Sequence, residues 1–164
     1  MKSLLVFAIA MMFLIPLART VAAAPTVKPA ETIMMRVPFN GTLQSTEIYG
    51  NSPTTMSVSA NGSGNASQIG QFTIRYQSEI NLLDLSIVET AQFMGSNGDS
   101  LQARGTGQTA ENRTPGMFNL IEIYKITGGT GRFAGASGTV TLNRLISIMT
   151  GATSSTFEGY ILMP

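Results

Sequence analysis

Few side chains in this sequence suit chemistry, and the informative ones lie on period-two alternation. In the stretch FNLIEIYKI, Glu122 shares a face with Phe118, Leu120, Tyr124 and Ile126, while Asn119, Ile121, Ile123 and Lys125 take the other. If the aromatic face points inward, Glu122 is a carboxylate among apolar side chains. There it must be paired, or its pKa must rise. Arg144 shares a face with Val140, Leu142 and Ile146 and is the best-placed partner, because Arg75 and Arg104 stand on the polar faces of their strands. Glu122, Tyr124 and Arg144 are therefore the candidate site residues. Three readings stay open: an internal structural pair closing one barrel end, an outward solvated Glu122, or a ligand-binding or catalytic carboxylate. Glu89, between Ile87 and Ala91, poses the same question.

Composition removes most other chemistry. The chain contains no histidine, cysteine or tryptophan. Zinc, haem and copper sites would lack their usual ligands, so neither a metal nor a cofactor is expected. Ser-His-Asp and Cys-His catalysis are excluded, and so are disulfides and a lipid-anchored cysteine. Tyr76 and Tyr124 read as core side chains with a wet hydroxyl. Met94 and Met117 read as gap-fillers. Asn40, Asn61, Asn65 and Asn112 each begin an N-x-S/T triplet, which matters only in a host that glycosylates secreted proteins.

The elements that must position these residues begin after a leader. Lys2, the apolar run Leu4 to Leu17 and the small residues Val21-Ala22-Ala23 make a secretory signal peptide, with cleavage expected after Ala23. The predicted location is secreted or periplasmic, and no later segment is expected to span a membrane. Without Lys2 and Arg19, eight basic residues stand against nine acidic ones. That near-neutral balance predicts no nucleic-acid partner. Residues 24–35, with Pro25 and Pro29, form a flexible lead-in, and residues 36–164 form a single domain.

Within that domain the pattern is all-β. Alternation predicts eight strands, near 36–47, 54–60, 69–82, 85–94, 99–109, 117–127, 136–147 and 154–163. Turn chemistry separates them at Asn61-Gly62-Ser63-Gly64, Gly95-Ser96-Asn97-Gly98-Asp99, Arg113-Thr114-Pro115-Gly116 and Thr150-Gly151. Eight antiparallel strands can close into a calycin-like barrel and remove their edges, although a two-sheet sandwich fits the same pattern.

The stretch ITGGTGRFAGASG, Ile126 to Gly138, tests whether a phosphate or calcium site is present. A dinucleotide fingerprint needs a following helix and a distant acid. Here GTVTL follows, which is β-rich, and a calcium repeat would need an acid where Phe133 stands. The stretch reads as a glycine-rich corner with Phe133 turned into the core. Together with TVTLNRL and TFEGYIL it resembles the allene oxide cyclase and dirigent superfamily. The match extends through GNASQIGQFTIRY, NGDSLQARGTGQ and IEIYKITGGTGRFAG, roughly Phe39 to Leu162, and is similar above all to secreted bacterial proteins described as allene oxide cyclase barrel-like. The resemblance implies an eight-stranded antiparallel barrel and, by analogy, trimers. It transfers no catalytic residue: Glu47, on the early strand, falls in no motif that matches.

Three functional classes remain. One is a non-catalytic barrel binding a small hydrophobic ligand or a partner protein. A second is a cyclase-like or dirigent-like protein, without metal or cofactor, that steers ring closure or coupling of a reactive intermediate. The third is an interaction module with a packed interior. A cavity of roughly 300 Å³ or more would separate the first two from the third, and a carboxylate or tyrosine hydroxyl facing it would favour the second.

Overall fold

The computed structural model describes residues 33–164; the expected signal peptide and most of the expected lead-in lie outside the described residues. Nine β-strands run in chain order: β1 Met35–Pro38, β2 Gly41–Asn51, β3 Thr55–Ala66, β4 Gly70–Asn81, β5 Ser86–Gly95, β6 Ser100–Glu111, β7 Met117–Gly129, β8 Ser137–Ser147 and β9 Ala152–Met163. All pairings are antiparallel between chain neighbours, except that β9 also pairs with β2 and β1. That seam closes β2 to β9 into an eight-stranded antiparallel barrel rather than a sandwich.

The ninth strand is not an extra stave. Met35 lies opposite Met163 and Gly41 opposite Phe157, so β1 and β2 keep one register along β9 and interrupt it only at Phe39 and Asn40. The strand expected at 36–47 is thus present, broken where Phe39 turns fully inside.

One expected turn is not a turn. Asn61-Gly62-Ser63-Gly64 lies inside β3, which continues to Ala66. The two glycines face the interior, where their role is space. A Cβ on Gly62 would stand 2.6 Å from Ser45 Cβ, and one on Gly64 would stand 2.6 Å from the Phe72 ring. Alternating small and large interior residues let a narrow barrel fill. The glycine corner does behave as expected. Gly131 has φ +60, Phe133 is fully buried, and Gly131–Phe133 form a single 3-10 turn.

The interior has two unlike ends. At one, Phe39, Phe72, Phe93 and Phe157 pack ring to ring at 5.3–6.2 Å and plug the barrel. At the other, around the loops at 52–54, 82–85, 112–116 and 148–151, only Ile87, Leu120 and Ile146 form a small buried cluster. Among the methionines, Met94 is no gap-filler: it faces outward from β5 and is exposed. No described helix is long and apolar enough to cross a membrane.

Candidate functional site

Between the two ends lies a belt of buried charge. Alternation on β2 turns Leu43, Ser45 and Glu47 inward, β5 contributes Glu89, β7 contributes Glu122 and Tyr124, and β8 contributes Arg144. All three carboxylates and the guanidinium are buried, with Glu89 and Glu122 at 1% exposure and Arg144 at 3%. Three acidic residues thus surround one cation in the interior.

Arg144 is the hub. Its Nη1 donates to Glu47 Oε1 at 2.9 Å, and its Nη2 lies 3.2 and 3.3 Å from the two oxygens of Glu89. Nη2 also donates to the Tyr124 hydroxyl at 3.1 Å, and the guanidinium stacks 4.5 Å from the centre of the Tyr76 ring. Glu122 Oε2 is 2.9 Å from Nη2 but poorly aligned, and neither Glu122 oxygen accepts a hydrogen bond. The reason is orientation: Nη2 is shared with Glu89 and Tyr124, while Nε of the same guanidinium points at no acceptor.

The other carboxylates are well served. Glu89 accepts from the hydroxyls of Ser78 and Tyr124. Glu47 accepts from Tyr76 at 2.7 Å and from Tyr49 at 3.0 Å. Because Tyr76 spends its proton on Glu47, Ser45 must donate to Tyr76 (2.9 Å) and Thr153 to Ser45 (2.5 Å). Both tyrosine hydroxyls that were expected to be wet are therefore buried and committed to carboxylates.

Electrostatics separates the groups. Burial, opposed by Arg144 and reinforced by Glu89 and Glu47, raises the Glu122 pKa from its usual 4.5 to about 8. That direction favours the protonated, neutral form of Glu122. Burial and the neighbouring Glu89 and Glu122 carboxylates push Tyr124 well above the usual tyrosine range. Burial would release a proton from Arg144, but Glu89 and the other acidic neighbours outweigh it and keep the guanidinium charged.

Glycines make the room. Tyr124 reaches Glu89 across β6 by passing over Gly105, where a Cβ would lie 2.9 Å from its ring. Above the belt, toward the sparse end, a cavity of about 190 Å³ opens. Glu122, Glu89 and Arg144 form its floor, Val58, Ile80 and Ile146 belong to its walls, and Leu82 and Leu85 stand at its rim. It is smaller than the 300 Å³ set out above, yet larger than a hydrocarbon-lined void of about 150 Å³ that accepts benzene. Larger hollows on the outer wall, up to about 940 Å³, are lined chiefly by outward-facing residues such as Ser57, Ser59 and Gln77.

The structure brings Glu122, Tyr124 and Arg144 together and places Glu89 with them. Arg75 and Arg104 are exposed. Glu47 was missed as a member. Its signal was the alternation Leu43, Ser45, Glu47, Tyr49, which is only half apolar and so reads weakly as an inward face.

Closed barrels of this fold are found among solved dirigent proteins. This barrel is similar to the solved structures of two pterocarpan synthase dirigent proteins. GePTS1 aligns with a TM-score of 0.57 at 13% identity over 86% of this chain and 98% of that one. PsPTS1 aligns with 0.57 at 12% identity over 79% of this chain and 96% of that one. At such identity the likeness is one of fold. No protein-family model matches the chain, and no curated protein sequence does.

Proposed function

We propose that this dirigent-like barrel is a binding protein that takes one small, largely apolar molecule with a polar head into its cavity. The observation that carries this reading is the cavity itself: about 190 Å³ between apolar walls, with Glu122, Glu89 and Arg144 among the residues that line it. A few polar groups at the foot of an otherwise apolar pocket are the usual arrangement for fixing the orientation of a small ligand. The apolar walls suit the rest of such a molecule, and the volume limits it to about one ring.

A second reading rests on the same acid. A neutral carboxyl beside Tyr124 in a water-poor pocket can protonate an oxygen as charge develops there, which is what steered cyclisation or coupling of a reactive intermediate needs. The two solved neighbours are described as pterocarpan synthases, in keeping with this reading.

Native mass spectrometry of the chain purified from its own host tests the binding reading. The expected result is a bound mass retained by the parent and lost in Ile146→Phe, which places a ring in the cavity. A parent that carries no ligand and gains no thermal stability from any small aromatic probe would refute it.

A further inference from the structure

The outer wall of the barrel carries its charges unevenly. Arg75 on β4, Arg104 on β6 and Lys125 on β7 point outward and are exposed. Their ladder neighbours supply no counter-charge. Arg75 lies between Asn61 and Gln92, Arg104 between Thr90 and Lys125, and Lys125 between Arg104 and Thr139. Among the described side chains, the outward acids of the strands stand elsewhere: Glu79 opposite Ser57 and Val88, and Glu158 opposite Thr141. Among the described residues, ion pairs are confined to Arg132 and Arg144.

Arg104 and Lys125 are the informative pair. Like charges directly opposite each other in an antiparallel ladder weaken it, so this pairing works against the sheet that contains it and points to a use outside the barrel. On the same wall lies a hollow of about 680 Å³, lined by Arg75 and Arg104 together with Gln77, Gln92, Gln102 and Thr90, all of them exposed. From β4 to β7 the stripe is about 14 Å wide at ~4.8 Å per strand, wider than a single carboxylate or phosphate group.

Such a wall suits a chain of anions with hydroxyls between them. The fork of an arginine matches a carboxylate, and a glutamine amide offers both donors and an acceptor to a hydroxyl. Nucleic acid fits less well. Phe72, Tyr76, Phe93, Phe118 and Tyr124 stand on the inward faces of β4, β5 and β7, so bases would find no ring to stack on. We propose that this outer wall binds an acidic glycan, a chain of uronic acids whose carboxylates meet Arg75, Arg104 and Lys125 and whose hydroxyls meet the glutamine amides. The surface lies outside the barrel, and the inference is independent of what the cavity holds.

Fluorescence anisotropy with a labelled oligogalacturonate tests it. The expected result is binding in low salt that weakens about tenfold or more as salt rises from about 20 to 200 mM. The methyl-esterified oligomer, which has the same sugars without the charge, should not bind. Arg75→Gln and Arg104→Gln should each weaken binding at least about fivefold. Arg113→Gln, an exposed cation in the loop before β7, should leave it unchanged. Lys125→Glu should lose binding and yet unfold at a higher urea concentration than the parent, because it turns a repulsive pair into an attractive one. Equal binding of the charged and esterified oligomers, or binding of neither, would overturn the proposal. So would a loss in Arg113→Gln as large as in the stripe variants, which would report net charge alone. Tighter binding of an oligothymidylate of the same length would overturn the glycan in favour of nucleic acid.

Discussion

Gly107 lies directly opposite Glu122 in the β6–β7 ladder, and a Cβ on it would come within 2.6 Å of Glu122 Cγ. The glycine is what lets a carboxyl occupy this part of the barrel. Gly107→Ala should therefore displace Glu122 or the β7 backbone and cost about 1–3 kcal/mol, the usual penalty for overpacking. Urea unfolding would measure it; a cost below ~0.5 kcal/mol would show that Glu122 has room to spare.

Glu122 makes stability depend on pH in a predictable sense. The folded chain keeps its proton to about pH 8, whereas the usual value is 4.5. Between these values the folded state binds more protons than the unfolded one, so stability falls as pH rises and levels off above 8. Glu122→Gln should flatten this slope and be more stable than the parent at pH 9. Denaturant midpoints from pH 5 to 9 would test it, and parallel curves for the two proteins would contradict the assignment.

Arg144 is the only cation in the cluster. Arg144→Met should cost about 3–5 kcal/mol at pH 7 by leaving buried charge unpaired. Adding Glu122→Gln should recover little, since Glu47 and Glu89 remain. A double-mutant cycle should give stronger coupling of Arg144 to Glu89 than to Glu122. The reverse order would mean that the misaligned 2.9 Å contact is the principal pair.

Gly131→Val should destabilise by about 1–3 kcal/mol, because φ +60 strains a β-branched residue and its side chain would run into Asp99. Neither the parent nor the variant should bind NAD or ATP. Micromolar nucleotide binding abolished by the change would restore the phosphate-cradle reading of this corner.

The fold was largely legible because alternation is unbroken on β4, β5 and β7, where large apolar residues mark one face. β3 was cut short because Gly62 and Gly64 carry no side chain to show a face, and a glycine that makes space looks like one that makes a turn. The pairing of Glu122 with Arg144 could be read from two adjoining strands. Glu47 could not, since it meets Arg144 across a seam that joins the two ends of the chain, 97 residues apart. Local periodicity does not report on closure. The loss of Glu122's hydrogen bonds was also hidden, because it follows from how the Arg144 guanidinium is turned among three carboxyls, with its Nε left unpartnered.

The pairing of Met35 with Met163 puts both ends of the described chain at the phenylalanine-plugged pole, away from the rim at Leu82 and Leu85. A tag or domain joined after Pro164 would therefore leave the barrel from its base, at the pole opposite the opening, like the stem of a cup.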